Sequence, residues 1–205
     1  MASTSKTPCL NLNQWSPDDP VLREDFNADN AAIDTAFSAV RLKAVYAEEA
    51  VSLLSADLTD LPLEKFAALH ILFVLPGDST QSALNASSYY GMLFNGIIGS
   101  ESYSTFRYGA SSWNNSEYVS LGSISQYSGE WGASDVTLFL NSGILRGRLN
   151  TIPAADNPWA GGFRVKYNGP TGETLTSVDL IVNRSNYGRL LVPAGAGIIV
   201  YGFRK

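Results

Sequence analysis

Apolar residues recur every seven positions in the N-terminal third of the chain. One series begins at Phe26, the other begins with the polar Asn30, and the step between the two alternates between four and three residues. The positions of the two series are Phe26, Asn30, Ile33, Phe37, Val40, Ala44, Ala47, Val51, Leu54, Leu58 and Leu61. A period of 3.5 residues sustained over about five heptads is typical of a left-handed coiled coil. The pattern predicts a long helix over residues 25–61 that forms the stalk of an oligomer.

The repeat leaves the number of associating helices open. Its positions mix Phe, Ala, Val, Ile and Leu, which is not the arrangement that selects two strands, so two and three chains are both compatible with it. Asn30 in the seam favours register over stability. In an alternative interpretation the helix folds back onto its own β domain. We favour association between copies, because a helix over residues 27–60 would be about 50 Å long, which is unsuited to packing inside a small domain.

The pattern changes after the predicted stalk. Pro62 is suited to the first position of a helix, which predicts a short helix over residues 62–69. The apolar run His70–Leu75 is typical of a buried strand and is followed by Pro and Gly. We interpret residues 62–75 as a joint between stalk and head.

Short apolar runs separated by turn residues continue to the C-terminus. They predict strands at 89–98, 103–109, 117–124, 135–140, 144–150, 162–168, 176–183, 188–192 and 197–204. In the run 135–140, every second residue is apolar (Val136, Leu138 and Leu140), which predicts a strand with one buried face. Short strands at this spacing indicate an antiparallel β-sandwich or jelly-roll head over residues 76–205.

Charge divides the chain in a similar way. Residues 1–75 hold 11 acidic and 5 basic residues, and residues 76–205 hold 8 and 9, so that the 205-residue chain has a net charge of −5. This balance argues against a nucleic-acid partner and against a basic membrane-binding patch. The single Cys9 cannot form an internal disulfide, and with His70 as the only histidine no Cys/His zinc site can be assembled. We expect a protein made in a cytoplasm, without membrane insertion, metal or other cofactor.

Aromatic residues beside amides and a carboxylate indicate a ligand-binding surface on the head. They lie in Gly-, Ser- and Asn-rich stretches that are typical of loops. The candidate residues are Trp113, Asn114, Asn115, Tyr127, Trp131, Asp156, Asn157 and Trp159. An aromatic ring covers the apolar C–H face of a sugar while neighbouring polar groups bind its hydroxyls, and the same residue types dominate protein-binding loops. In the alternative interpretation each loop Trp plugs the end of the β core.

Catalysis is disfavoured by the sequence. Cleavage of a polysaccharide needs two carboxylates at a set separation, and no motif singles out such a pair among the acidic residues of the head. His70 lies in an apolar run without an obvious Ser or Cys partner, so we interpret it as a structural histidine of the core or joint. Arg146 and Arg148 alternate along a predicted strand and either face solvent or cross an interface between copies. We expect a protein that binds and is not an enzyme.

The N-terminal segment, residues 1–24, contains several prolines and no apolar period. We expect it to become ordered against a partner, with Leu12 and Trp15 as anchors. In an alternative interpretation Trp15 packs against the start of the helix.

Two runs close to the N-terminus carry a resemblance to a known family. The runs are Leu10-Asn11-Leu12-Asn13-Gln14-Trp15 and Arg23-Glu24-Asp25-Phe26-Asn27-Ala28-Asp29-Asn30-Ala31-Ala32-Ile33-Asp34. They resemble the opening of tail-fibre and baseplate-attached fibre (receptor-binding) proteins of bacteriophages and prophages, especially those of Gram-positive hosts. The resemblance is confined to residues 10–45. It implies a virion protein, made in the bacterial cytoplasm, that forms a homotrimer and docks through residues 1–24 onto a tail, baseplate or head protein.

Together these observations predict an α+β protein organised by segment, with an extended N-terminus, a trimeric coiled-coil stalk and a β-sandwich head. The expected function is host adsorption, in which the head binds a cell-surface glycan, such as cell-wall carbohydrate. The alternative is a purely structural virion protein whose head packs against neighbouring virion proteins.

Overall fold

The computed structural model describes twelve segments of the chain. They are residues 5–8, 11–20, 22–38, 41–77, 88–99, 102–107, 114–123, 131–140, 144–152, 159–165, 169–184 and 188–204. The chain divides into two compact units, Met1–Leu42 and Lys43–Lys205. We call them the N-terminal unit and the β unit.

The N-terminal unit consists of a small hairpin and one helix. Strand β1 (Ser5–Lys6) pairs with β2 (Asn13–Gln14), and helix α1 runs over Arg23–Ser38. The hairpin turn includes Asn11 at a φ of 56°, a left-handed conformation that Asn tolerates better than most residues. Two acidic residues in the first turn of α1 complement the positive end of the helix dipole.

Asn13 fastens the hairpin to the helix. Its backbone N–H donates to Oδ1 of Asp29 at 3.0 Å, and its side-chain amide donates to the same oxygen at 2.9 Å. The amide also donates to the backbone carbonyl of Asp25, one turn earlier, at 3.4 Å. An isolated helix of this length is marginal in water, so these bonds help to keep α1 folded.

The predicted coiled-coil stalk, and with it the predicted fold class, is wrong. Helix α1 ends at Ser38, and the chain continues as strands β3 (Arg41–Tyr46) and β4 (Leu54–Asp57). Six predicted seam positions lie in strands of the described structure or in the connections between them: Ala44, Ala47, Val51, Leu54, Leu58 and Leu61. The described protein is mostly antiparallel β-sheet.

The remaining seam positions fall in α1 or just after it. Phe26 is 56% exposed, Asn30 is exposed and Ile33 is half-buried. The Phe37 side chain and Val40 lie outside the described residues.

Pairing with distant strands explains why the heptad repeat over residues 25–61 does not form a single helix. The backbone N–H of Val51 donates to Val192 at 3.0 Å, that of Leu58 donates to Thr176 at 2.8 Å, and β4 is part of a sheet. Apolar residues spaced by seven also arise from successive short strands, and tertiary pairing overrides a local period. The trimer prediction loses the physical support of the seam and now rests on the family resemblance alone.

The short helix predicted at 62–69 is also wrong. Only Leu63–Lys65 forms a single 3-10 turn, and strand β5 (Phe66–Pro76) begins directly after it. The strand predicted at His70–Leu75 is therefore the second half of a longer strand, whose inner residues alternate in burial.

The other strands follow in chain order. They are β6 (Ser88–Phe94), β7 (Tyr103–Arg107), β8 (Asn114–Ser116), β9 (Val119–Ser123), β10 (Trp131–Phe139), β11 (Arg146–Ile152), β12 (Trp159–Val165), β13 (Ser177–Arg184), β14 (Gly188–Leu190) and β15 (Gly197–Arg204). One sheet has the order β3-β15-β5-β10-β11-β12-β7-β8. A second has the order β14-β13-β6-β9, with β4 also paired to β13.

The two larger sheets pack against each other through their apolar faces. The rings of Phe94 on β6 and Phe163 on β12 stack with their centroids 5.9 Å apart. The hydroxyl of Ser134 on β10 donates to the carbonyl of Leu121 on β9 at 2.9 Å. All four residues are buried, so the core lies between the eight-stranded and the five-stranded sheet.

Burial alternates along β10 as the sequence predicts for 135–140. Val136, Leu138 and Leu140 are buried against the core, while Asp135 and Phe139 are exposed. This alternation is confirmed, and it defines which side chains of the eight-stranded sheet point away from the core.

A buried carboxylate holds the turn after β6. Asp179 on β13 accepts hydrogen bonds from the backbone N–H of Gly96 at 2.7 Å and from the hydroxyls of Ser177 at 3.0 Å and Ser55 at 2.5 Å. The turn itself contains Asn95 and Gly96, both at positive φ. Donors from three segments thus satisfy a charge that would otherwise be costly to bury.

Tyr103 anchors the same turn from the other sheet. Its hydroxyl accepts a hydrogen bond from the backbone N–H of Phe94 at 3.1 Å and donates one to the carbonyl of Ile97 at 3.0 Å. Burial raises the pKa of Tyr103 to about 12.

Candidate functional site

The face of the eight-stranded sheet that points away from the core carries aromatic and charged side chains, several of them exposed. We call it the outer face and define it by the outward residues of β15, β5, β10, β11 and β12. Its residues are Ile199, Tyr201, Phe203, Ala68, His70, Leu72, Val74, Trp131, Ala133, Asp135, Thr137, Phe139, Arg146, Arg148, Asn150, Ile152, Gly162 and Arg164.

The strand registers arrange the outer face in rows across the sheet. In the first row Phe203, Ala68, Phe139, Arg146 and Arg164 lie opposite one another on successive strands. Phe203 is 52% exposed and Phe139 is 39% exposed, whereas Ala68 between them is small and buried. Two exposed aromatic rings therefore flank a small residue, with arginines at one end of the row.

The second row is centred on a histidine. Tyr201, His70, Thr137 and Arg148 occupy successive strands. Nε2 of His70 lies 2.6 Å from Oδ1 of Asp135 on the neighbouring strand.

Two aromatic rings lie beside the imidazole. The ring of Tyr201 is centred 6.0 Å from that of His70, and the ring of Phe203 is stacked on it with centroids 6.1 Å apart. His70 is half-buried on the outer face, so of the two predicted positions, core or joint, it does not occupy the core. The carboxylate and the two rings hold the imidazole in one orientation.

Positive charge is concentrated on β11 and β12. Arg146 and Arg148 are exposed, and Arg164 is half-buried directly opposite Arg146. Within the described ranges, neither Arg146 nor Arg148 has a carboxylate within ion-pair distance. The exposure of both side chains agrees with the sequence alternative in which they face solvent.

The outer face is large enough for an extended ligand. Trp131 and Phe139 stand at the two ends of β10, about 26 Å apart at the usual rise per residue. From β15 to β12 the face is about 19 Å wide, which is four strand spacings. Trp131 is 58% exposed and Ile152, diagonal to it on β11, is 67% exposed.

The structure brings only some of the predicted ligand residues into this face. Trp131 belongs to it, and Asn114 and Asn115 are exposed on the edge strand β8. Four strand spacings separate β8 from β10, so these asparagines do not meet Trp131.

The other predicted ligand residues cannot be placed on the face. The backbone of Trp159 pairs with Thr151, but its side chain lies outside the described residues. Four more candidates also lie outside them: Trp113, Tyr127, Asp156 and Asn157.

The predicted docking residues lie in the N-terminal unit. Leu12 and Trp15 are both half-buried, so each retains an accessible surface. Phe26 in α1, which the sequence analysis did not assign to docking, is more exposed than Leu12 or Trp15.

Sequence reasoning missed several residues of the outer face, namely His70, Asp135, Tyr201, Phe139 and Phe203. One signal was present, because Asp135, Thr137 and Phe139 are the alternate positions to the apolar residues of the predicted strand 135–140. Nothing in the sequence places Phe203 two strands from Phe139, since that neighbourhood depends on the pairing of β15, β5 and β10.

A separate groove of about 670 Å³ lies in the β unit, away from the outer face. Its lining includes Leu58, Leu61, Leu63, Leu140 and Leu175, and two exposed glutamates, Glu64 and Glu173. The groove offers apolar surface and carboxylates but no aromatic ring, so it is less suited to a sugar than the outer face.

Clusters of metal-ligating side chains and membrane-spanning helices are both absent from the described segments. Nowhere in them do three or more His, Cys, Asp or Glu side chains come together as metal ligands. The same segments contain no helix that is long and apolar enough to cross a membrane.

No known protein-family model matches the chain, and no characterised protein or solved structure is significantly similar to it. The chemistry of the outer face is therefore the basis on which a ligand can be proposed.

Proposed function

We propose that the protein is a virion attachment protein of a bacteriophage or prophage, and that it binds an extended polysaccharide of the host surface through the outer face of the β unit. The observation that carries this proposal is the outer face itself. Exposed rings stand at both ends of β10, and guanidinium and amide groups lie between them.

The chemistry of the face matches that of a sugar chain. The rings of Trp131, Phe139 and Phe203 offer apolar surfaces on which the C–H faces of pyranose rings pack. Between them, Asn150 and Thr137 offer hydrogen-bonding groups for hydroxyls. Each contact is weak, and an elongated face allows several to act at once on one polymer.

The virion part of the proposal rests on the N-terminal resemblance. The resembling runs contact each other, because Asn13 of the first run is hydrogen-bonded to Asp29 of the second. They thus form a folded element, and we propose that it docks onto a tail, baseplate or head protein with Leu12 and Trp15 at the contact. The same resemblance supports a homotrimer, in which three outer faces would raise the avidity for a repetitive surface. Light scattering of the full chain measures that state.

A second candidate function is purely structural. Ile144, Ile152 and Phe139 are exposed apolar side chains, and such surface also suits permanent packing against another virion protein. In that case the outer face would be covered in the assembled particle and the free protein would bind no host polysaccharide.

The test is co-sedimentation of the full chain with purified Gram-positive cell walls. The double variant Phe139→Ala, Phe203→Ala removes the two rings of the first row, and we expect it to weaken wall binding by about tenfold or more. Phe26→Ala is the matched control, because it removes an equally exposed ring from the N-terminal unit. The proposed binding is non-catalytic, so the walls should release no soluble sugar during the assay.

Wall binding and the presence of the protein in purified phage particles together decide between the two functions. Wall binding that depends on Phe139 and Phe203 but not on Phe26 supports host adsorption. Absence of wall binding, together with detection of the protein in purified particles, supports the structural function. Absence from purified particles overturns the virion assignment.

A further inference from the structure

We infer that the bound polysaccharide is polyanionic and that its acidic groups bind Arg146 and Arg148. This inference rests on the proposed function and specifies its ligand class. It is carried by the distribution of charge on the outer face, not by the aromatic rings.

The outer face is basic although the chain is acidic. Its described residues include three arginines and a single carboxylate, Asp135, in a chain whose net charge is −5. That carboxylate lies against His70 and not against an arginine. Arg146 and Arg148 therefore retain their full capacity for an external anion.

The geometry of the arginines suits repeated acidic groups. Arg146 and Arg148 point to the same side of β11, with their Cα atoms about 6.6 Å apart along the strand. The planar guanidinium group of each arginine binds carboxylate or phosphate in a bidentate manner.

Aromatic surface adjoins Arg146 in the first row and lies two strands from Arg148 in the second. Phe139 lies opposite Arg146, and Arg148 lies in the row that contains His70 and Tyr201. A ligand that crosses the first row meets a ring and then a guanidinium group on neighbouring strands, and in the second row Thr137 lies between them. This alternation fits a polymer in which uncharged sugar or polyol units alternate with phosphate or carboxylate groups.

A nucleic acid also combines rings with phosphates, but it fits this protein less well. The net charge of −5 opposes long-range attraction of either polyanion, so it does not separate the two. The proposed attachment function requires a polymer of the host surface, and a nucleic acid is not one. We therefore commit to the glycan and keep nucleic acid as an outcome of the test.

The experiment measures binding of the full-length protein to four defined polymers. Poly(glycerol phosphate) and polygalacturonate present phosphate and carboxylate respectively, dextran is neutral, and poly(dT) represents nucleic acid. The variants are Arg146→Gln and Arg148→Gln, singly and together, and Asp135→Asn. Arg189→Gln is the matched control, because Arg189 is an exposed arginine on β14 of the other sheet.

We expect binding to poly(glycerol phosphate), polygalacturonate or both, and weaker binding to dextran. Each single Arg→Gln change should weaken binding by about tenfold, as for a lost hydrogen bond to a charged group. Asp135→Asn should strengthen binding, Arg189→Gln should leave it unchanged, and added salt should weaken it. The difference between the two acidic polymers identifies the anion.

Three results would overturn the inference. They are equal binding to dextran and to the acidic polymers, failure of both acidic polymers to bind, and insensitivity to the Arg146 and Arg148 changes. If wall binding persists in any of these cases, the proposed attachment function stands and the inference that the ligand is polyanionic is wrong. Tight binding of poly(dT) that depends on the same arginines would replace the glycan by a nucleic acid.

Discussion

A single buried carboxylate, Asp179, connects three segments that are far apart in the chain. It accepts hydrogen bonds from Ser55, Gly96 and Ser177, and no cation takes part among the described residues. Of these donors only the backbone N–H of Gly96 cannot reverse its role, because a hydroxyl can either donate or accept.

The first prediction concerns this residue. Asp179→Asn can keep an oxygen on the Gly96 N–H and donate its amide to a serine hydroxyl, so we expect it to lower the free energy of unfolding by about 1–3 kcal/mol. Asp179→Ala leaves the Gly96 N–H unsatisfied and should cost more than Asp179→Asn. Ser177→Ala, which removes one of two hydroxyl donors, should cost least. Urea denaturation of the three variants checks this order, and an alanine variant as stable as the asparagine variant would contradict it.

The second prediction concerns the pH dependence of Tyr103. Its pKa is about 12 in the folded protein against an ordinary value of 10.0, so its stabilising contribution is fully present below pH 10 and is lost as the pH rises from 10 towards 12. Tyr103→Phe leaves the Phe94 N–H without its acceptor and should cost about 1–3 kcal/mol near neutral pH. The stability difference between wild type and variant should then narrow above pH 10. Denaturant titrations on both sides of pH 10 measure this difference in stability. A difference that stays constant would argue against a raised pKa of Tyr103 in the folded protein.

At the scale of elements, helix α1 depends on the hairpin before it. Asn13 gives the Asp29 carboxylate two donors and also reaches the Asp25 carbonyl, so hairpin and helix stabilise each other. The apolar period of α1 alone does not supply this contact.

The third prediction therefore concerns the hairpin and helix together. Asn13→Ala removes the side-chain bonds to Asp29 and to the Asp25 carbonyl, and Asp29→Ala removes the acceptor of the Asn13 backbone N–H and of its side-chain amide, so each should destabilise the N-terminal unit by about 1–2 kcal/mol. The two changes share one bond, from the Asn13 amide to Asp29, so the double variant should lose less than the sum of the two single variants. The far-ultraviolet circular dichroism of the helix, followed through thermal unfolding, is the measurement. Fully additive losses would show that the two residues act separately.

The contact between β11 and β12 requires a glycine. A Cβ on Gly147 would lie 2.3 Å from Cζ of Phe163 and 2.6 Å from the carbonyl oxygen of Thr137. The Phe163 ring cannot retreat freely, because it stacks on Phe94 in the core. The absence of a side chain at Gly147 is thus what lets Phe163 fill the space between the sheets.

The fourth prediction follows from this close contact. Gly147→Ala should destabilise the β unit by about 1–3 kcal/mol through overpacking. In a Phe163→Leu background, Gly147→Ala should cost less free energy of unfolding than it does in the wild type. The cost should not fall to zero, because the clash with the Thr137 carbonyl remains. A double-mutant cycle in guanidinium chloride measures this coupling. Full recovery would mean that the backbone clash does not matter.

At the scale of the whole molecule, sequence periodicity was informative within a strand and misleading between strands. The alternation over 135–140 identified the buried residues Val136 and Leu138 correctly, because a strand has the same two-residue period wherever it is placed. The heptad over residues 25–61 failed because a seven-residue spacing is not unique to helices. Leu54 and Leu58 satisfy it while lying buried in the β unit.

The candidate site shows the same division. The alternation of Arg146 and Arg148 predicted that the two share a side, and their exposure follows from it. The His70–Asp135 pair joins residues 65 positions apart, and the Arg146–Arg164 contact depends on the register of β11 with β12. No local pattern encodes either neighbourhood.

By itself, the sequence determined which side chains of a strand share a face, the separation of an acidic N-terminal part from a more basic remainder, and the absence of an internal disulfide. These properties depend on residue type and on the fixed geometry of the backbone. Only the tertiary structure decided that α1 stops at Ser38, that the strands adopt their order, and that aromatic and basic rows meet on one face. The physical reason is that strand order and register are set by burial of apolar surface between distant segments, and that energy belongs to the assembled sheets and not to any one stretch of chain.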